Sequence, residues 1–268
     1  MEFKEKVILI TGASDGIGKQ LAIDLSMRGA VIIASGRSPA RLETVLAEIR
    51  RASPRSIGIR CDVGSRAEVH QMISEALAKF PAIDILINNA GIGMRKPFVE
   101  TPLETIEELM RTNYLGTVYC THEVLPSMLA IGRGHIVNIS SVAGHIGSLN
   151  MAAYCASKFA LNGLSESLYH ELKPRGIAVS VVCPGPVRTS FNRTFAQTSP
   201  KSPTSLVISA ESVSQTVIRT IEKKRFQVIT PPSVALMCAL KRFMPGLFRA
   251  ISHRLFRSHV SPQHKSVT

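Results

Sequence analysis

The sequence predicts an α/β domain: an open, doubly wound parallel sheet of about seven strands with helices on both faces, and a C-terminal amphipathic helical extension. Three observations predict it. Apolar runs of strand type alternate with helical periodicity through the first 230 residues. A glycine-studded turn joins the first such run to the first helix. Beyond Pro231-Pro232 the chain turns basic, with apolar residues at helical spacing.

In chain order, strands are expected near 6–11, 30–35, 56–61, 83–87, 134–140, 177–183 and 226–229, and helices near 16–28, 39–51, 65–79, 101–130, 152–172 and 210–224. Strands that alternate with helices pair in parallel through right-handed crossovers. No internal repeat stands out. Residues 190–208, with Ser, Thr, Pro and Lys prominent, read as a mobile segment between the sixth strand and the next helix, or else as an ordinary surface loop.

A chain of 268 residues suits one large α/β domain, and 45% hydrophobic against 19% charged residues is a globular composition. No apolar run approaches the ~20 residues of a membrane span. The start Met-Glu-Phe-Lys-Glu-Lys enters the first strand almost at once, which reads as no cleaved leader. Five cysteines (Cys61, Cys120, Cys155, Cys183, Cys238) are odd in number and lack C-x-x-C spacing, which points to reduced thiols, a cytoplasmic protein and no metal site. Cys155 reads as a small packed residue rather than a redox site. Net charge is +13, but residues 223–268 hold nine Lys and Arg and no acid. The basic excess belongs mainly to the tail, which carries no nucleic-acid-reading module.

The first turn runs Thr11-Gly12-Ala13-Ser14-Asp15-Gly16-Ile17-Gly18 between an apolar strand and an amphipathic helix. Its glycines allow close backbone approach, and the helix that follows presents free N–H groups to a phosphate. Tyr154 and Lys158 stand four apart on one helix face, with Ser141 thirteen residues before the tyrosine. A phenol normally ionises near pH ~10. A neighbouring ammonium is expected to lower that value toward a working acid/base range.

Together with Asp62-Val63, Asn88-Asn89-Ala90-Gly91, Asn113 and Pro184-Gly185-Pro-Val187-Arg-Thr189, these motifs stand in an order that resembles the classical short-chain dehydrogenase/reductase family over roughly residues 5 to 230. The resemblance implies a Rossmann-type catalytic domain over 1–230, with 231–268 as an appended extension. It implies a catalytic set of Asn113, Ser141, Tyr154 and Lys158. Tyr154 would exchange a proton with the substrate oxygen, and Ser141 would hold that oxygen. Lys158 would bind nicotinamide ribose, and Asn113 would position a water relaying protons to Lys158. Cofactor contacts are implied for Gly12, Ser14, Asp15, Gly16, Ile17, Gly18, Arg37, Asp62, Val63, Asn89, Ala90, Gly91, Tyr154, Lys158, Pro184, Gly185, Val187 and Thr189. Segments 92–100, 142–151 and 190–208 would wall the substrate cleft; His145, Met151 and Phe195 are candidates either for lining it or for ordinary packing or surface positions. Homodimers or homotetramers are the family's common assemblies.

No acid occurs between Asp24 and Glu43, where one would bind the adenosine ribose and repel a 2′-phosphate. Arg37 offers a phosphate-binding fork instead, which favours NADP(H) over NAD(H). Asp15 departs from this pattern, standing where NADP-preferring relatives often carry a base. The leading reading is an NADP(H)-dependent carbonyl reductase, or the reverse alcohol dehydrogenase, acting on a lipophilic substrate such as a 3-ketosphinganine, a 3-oxoacyl thioester or a steroid-like ketone. A regulatory or membrane-bound scaffold that only senses NADP(H) is the alternative; it would have no need of the Ser141–Tyr154–Lys158 set.

In the tail Leu236, Leu240, Phe243, Met244, Leu247, Phe248, Ile251 and Leu255 follow i, i+3, i+4 spacing. Lys241, Arg242, Arg249, Arg254 and Arg257 fall largely between them. Pro245-Gly246 should kink or divide the helix. Two readings stand: peripheral contact with an anionic membrane, or a helix packed over the cleft or a subunit interface. Disorder is expected from about Ser258.

Overall fold

The computed structural model describes residues 2–189, 191 and 207–257, with side chains to Arg254. Most of the 190–208 segment, Phe195, and the end from Ser258 lie outside the described residues. The main sheet contains β1 (Val7–Thr11), β2 (Val31–Gly36), β3 (Ile57–Arg60), β4 (Ile85–Asn88), β5 (Gly134–Ile139), β6 (Ile177–Pro184) and β9 (Gln227–Thr230). Their order is β3-β2-β1-β4-β5-β6-β9, and every pair is parallel. A small pair, β7 (Val187–Arg188) and β8 (Ile208–Ser209), lies apart from it. Because strand order reverses between β1 and β4, a crevice opens at their carboxyl ends, where an open α/β sheet binds ligands.

Alternating side chains fill two apolar layers, as the period of a strand requires. Ile8 and Ile10 face α1 (Gly16–Ser26), α2 (Pro39–Ile49) and α7 (Ala210–Glu222), through Leu21, Leu25, Leu42, Leu46, Val217 and Ile221. Val7 and Leu9 face the other side, where α3 (Arg66–Lys79) and α5 (Gly116–Ile131) contribute Val69, Met72, Val124 and Met128. Full burial of an Ile or Leu is worth about 1.5–3 kcal/mol, so these layers are the main source of stability. Helix starts are satisfied locally: Ser38 accepts from Arg41 N–H (3.4 Å), Ser65 from Glu68 N–H (3.3 Å) and Ser209 from Ser212 N–H (3.2 Å).

One helical stretch differs from expectation in an informative way, and another agrees with it. The single helix expected over 101–130 is α4 (Leu103–Met110), a π-type turn over Arg111–Leu115, and α5, with Gly116 N–H bonded to the Arg111 carbonyl. The insertion places Asn113 wholly inside the protein. It also brings Gly116 against Val63, so close that a Cβ would lie 2.8 Å from Val63 Cγ2. Such π-type insertions recur at functional sites. The tail divides at Pro245, as its missing N–H dictates, into α8 (Pro232–Phe243) and α9 (Pro245–Arg257). Among the described residues no helix is long and apolar enough to cross a membrane.

Candidate active site

The glycine turn closes over the end of β4. Asn89 donates its side-chain amide to the carbonyls of Thr11 (3.0 Å) and Gly12 (3.1 Å). Thr11 Oγ1 in turn accepts from the backbone N–H groups of Asn89 and Ala90, both at 3.0 Å. Gly12 sits at φ +65°, and a Cβ there would fall 2.9 Å from Ala90 Cα. At Gly18 a Cβ would be 2.3 Å from the Gly12 carbonyl oxygen and 2.5 Å from Asn89 Nδ2. Asn89 therefore serves the loop as a strut; its amide is spent on protein. Gly16, at φ +55°, faces Thr189 across the crevice, 3.3 Å from its Cγ2 by the same measure. Asp15 Oδ1 accepts from Gly16 N–H (2.7 Å), capping α1.

At the end of β2, Gly36 lies against Ser14, whose Oγ would be 3.0 Å from a Cβ there. Arg37 is exposed beside it. Arg41, which the motif reading did not single out, pairs with Asp15 at 3.6 Å. The acid is thus matched by a base from α2. No motif signals that pairing, because α2 reaches the loop only through the fold. Asp62 Oδ1 accepts from Gly64 N–H (2.9 Å) and shapes the β3 exit, while Val63 is buried on α5. Gly185 N–H bonds the Thr230 carbonyl (2.7 Å), fixing the exit of β6, and Val187 is buried just beyond. The glycine cradle, the carboxyl ends of β1, β2, β4 and β6 and the start of α1 together fit a dinucleotide. Ile17 is only partly buried and packs on the core beneath.

Opposite this crevice stands α6 (Ala152–Leu172). It buries Tyr154 and Lys158 on one face, as the four-residue spacing predicts. A side-chain hydrogen bond links Ser141 to the Tyr154 phenol. Ser141 Oγ also accepts from Ala143 N–H (3.1 Å). The Lys158 ammonium donates to the Ile139 carbonyl (3.0 Å) and lies 6.0 Å from the centroid of the Tyr154 ring. Asn113 donates to the Ile92 carbonyl (2.9 Å) and to Ser157 Oγ (3.0 Å), and accepts from Ile92 N–H (2.8 Å). Its Oδ1 and Lys158 Nζ flank Gly91, at 3.2 and 3.8 Å from where a Cβ would lie.

Electrostatics correct one expectation. In this chain burial outweighs any help from Lys158, and the Tyr154 phenol is pushed up to about 12, opposed by its hydrogen bond to Ser141. Burial also pushes Lys158 down to about 8. Desolvation penalises the charged form of each, and it acts on phenol and amine in opposite directions.

Tyr154 sits in an apolar cluster with Leu109, Ala143 and Cys155, and Ile92, Met94, Met151 and Phe191 pack against it. The Phe191 ring is 6.2 Å from that of Tyr154. Met151 packs against this cluster, and its Sδ accepts from Arg95 Nη2 (3.4 Å). His145 instead turns to Asn162 and Gln227, with its Nε2 at 3.2 and 3.3 Å from their amide nitrogens. Cys155 is buried, and burial raises its thiol.

The family model described as short chain dehydrogenase matches residues 6–200. The chain belongs to that family. Dehydrogenase/reductase SDR family member 7B of Bos taurus is 32% identical to it, covering 98% of this chain and 84% of that protein. A 3-oxoacyl-[acyl-carrier-protein] reductase of Synechocystis is 37% identical, covering 69% and 76%. Among solved structures, a short chain dehydrogenase/reductase from Burkholderia phymatum in complex with NAD has a TM-score of 0.82 at 26% identity, covering all of both chains. A short-chain dehydrogenase from Sphingobium yanoikuyae in complex with NADPH has a TM-score of 0.77 at 27% identity, covering 98% of each. Members of this family are oxidoreductases of NAD(P), and the chain is accordingly an oxidoreductase of the short-chain type.

Proposed function

We propose that the chain is an NADP(H)-dependent carbonyl reductase of a lipophilic ketone, interconverting a carbonyl and a secondary alcohol. The observation that carries this reading is the hydrogen-bonded Ser141–Tyr154 pair, with Lys158 one helical turn further on and its Nζ beside Gly91 at the exit of β4. Nicotinamide held in this crevice would supply the hydride, leaving the protein to orient the carbonyl and deliver the proton. Tyr154, held near 12, is fully protonated at neutral pH and so stands ready to donate its proton to the carbonyl oxygen. Ser141 holds that oxygen by its hydroxyl. Lys158, brought down to about 8, exchanges a proton readily near neutrality and is suited to reprotonate Tyr154 and hold the cofactor ribose. Asn113 fixes the Ile92 loop through both its amide nitrogen and its Oδ1, and a relaying water would sit beside Gly91, which Oδ1 and Lys158 Nζ flank. In the oxidative direction the same groups work in reverse.

The preference for NADPH rests on the exposed Arg37, the neighbouring Ser14 and Arg41, and the lack of an acid between Asp24 and Glu43. The preference for a lipophilic substrate rests on the Ile92, Met94, Met151 and Phe191 wall. Relatives named as acting on such compounds include the Synechocystis 3-oxoacyl reductase and an epidermal retinol dehydrogenase of mouse, 31% identical over 90% of this chain.

We place the protein in the cytoplasm, as a dimer or tetramer by family analogy, with its tail resting on anionic membrane. Leu236, Phe243, Leu247 and Ile251 on α8 and α9, and Met244 at the joint between them, are exposed amid Arg242, Arg249 and Arg254, an arrangement suited to a charged lipid surface. The decisive experiment follows NADPH oxidation over a chain-length series of ketones with wild type and Tyr154→Phe. The variant should bind NADPH normally and turn over at least a hundredfold more slowly (roughly the contribution of general-acid catalysis); wild-type turnover in the variant would dismiss Tyr154 as the proton donor.

A further inference from the structure

We propose that Lys241, on the C-terminal helix α8, is a positioning residue for Ser141: it clamps the turn that the serine begins, making the tail a working part of the active site. The inference rests on the carbonyl-reductase reading above.

Ser141 opens a short 3₁₀ turn over Val142–Gly144. Its Oγ accepts from Ala143 N–H, so its own proton is left to point outward, toward Tyr154 and a substrate oxygen. That orientation survives only while the turn keeps its shape. The turn is closed within itself by Gly144 N–H to the Ser141 carbonyl (2.9 Å) and His145 N–H to the Val142 carbonyl (2.9 Å). It lies flat on α6, since a Cβ at Gly144 would fall 2.6 Å from Asn162 Nδ2 and 2.7 Å from the Lys158 carbonyl oxygen.

Its exit, His145, is held by groups remote in sequence. Asn162 donates to the Gly144 carbonyl (2.9 Å) and also faces His145 Nε2. Gln227, the first residue of β9, faces the same nitrogen. Two amide donors directed at one ring nitrogen require it to accept, so the imidazole is neutral with its proton on Nδ1. Burial and then the positive charge of Lys241 push the His145 pKa down, which agrees. Lys241 completes the clamp: its ammonium donates to the His145 carbonyl and lies 5.0 Å from the centroid of the Phe159 ring. The lysine thus bridges α6 and the serine turn from a helix whose other anchor, Val234, is buried against Gly185 at the exit of β6. A charge-assisted bond to a carbonyl is among the stronger single contacts a side chain makes. Here it acts on the last residue of the turn, four positions from the serine.

The test uses the full chain, NADPH and 9,10-phenanthrenequinone as the carbonyl probe, with amide hydrogen exchange read in parallel. Lys241→Met should lower kcat about tenfold, equivalent to about 1.4 kcal/mol, and leave KM for NADPH unchanged. Amides of Gly144, His145 and Ile146 should exchange about tenfold faster, with those of β1 unaltered. Lys241→Arg should restore most of the loss. In a Ser141→Ala background, Lys241→Met should cost nothing further, because its effect passes through the serine. An equal further loss in that background would show a merely structural tail and overturn the proposal, as would unchanged exchange at 144–146 or unchanged kcat. If wild type oxidises no NADPH with any carbonyl, the proposed function itself fails, and the exchange measurement still judges the clamp.

Discussion

Replacing Gly18 by alanine probes the cofactor cradle without touching a charged or catalytic group. The added methyl would sit 2.3 Å from the Gly12 carbonyl oxygen and 2.5 Å from Asn89 Nδ2. Neither neighbour can yield cheaply: one is backbone, and the other is the amide that joins the β1 turn to β4 through bonds of 3.0 and 3.1 Å. Overpacking of this kind costs about 1–3 kcal/mol, and breaking those bonds about 1 kcal/mol each. A total of roughly 3–5 kcal/mol at 2–4 °C per kcal/mol lowers Tm by about 6–20 °C. Affinity for NADPH should fall more than tenfold, since the displaced N–H groups are those meant for phosphate. Thermal unfolding followed by fluorescence titration with NADPH reads both. Gly163 is the control: it is exposed in the middle of α6 with nothing within 4 Å of its absent Cβ, so Gly163→Ala should stabilise by up to about 1 kcal/mol. Wild-type Tm and affinity in Gly18→Ala would refute the steric account of the cradle.

Other outcomes follow from the same geometry. Arg37→Asp should move preference from NADPH toward NADH, measured as the ratio of kcat/KM values; an unmoved ratio would place the phosphate site elsewhere. His135 is buried and pushed down from 6.5 to about 4, chiefly by desolvation. Its Nε2 meets Ser180 Oγ at 2.8 Å, and the serine's own proton goes to the Arg225 carbonyl (2.7 Å), so Nε2 carries the hydrogen. A second proton would have to enter at the buried Nδ1. Below pH 6.5 only the unfolded chain takes it up, so stability falls by about 3 kcal/mol between 6.5 and about 4 and no further below. Urea unfolding of wild type against His135→Gln isolates this, because the variant should lose that part of the slope; equal slopes would contradict it. Removal of residues 233–268 should abolish co-sedimentation with vesicles containing phosphatidylserine, while binding to neutral phosphatidylcholine vesicles is weak throughout; retention after truncation would remove the tail as the docking face.

How much was legible beforehand depended on range. The α6 face carrying Tyr154 and Lys158 was readable because helical spacing alone sets it, and the cradle because Gly12, Gly16 and Gly18 mark backbone that no side chain can enter. The π-type turn at Asn113 was not, since it answers to Ile92 and Ser157, twenty-one and forty-four residues away. Nor was the state of Tyr154. A charge pair at i, i+4 argues for a lowered phenol, but only packing by Leu109, Ala143 and Phe191 reveals that the pair is dry and that desolvation governs.

The order of residues by itself determined the alternation of strands and helices, the parallel sheet and the chemistry available at its carboxyl edge, because periodicity and glycine placement are local properties of a chain. Tertiary structure alone decided which polar groups satisfy one another: Asp15 with Arg41, and Lys241 with a carbonyl ninety-six residues earlier. Those pairings depend on where whole elements come to rest against the sheet, and no local pattern encodes that.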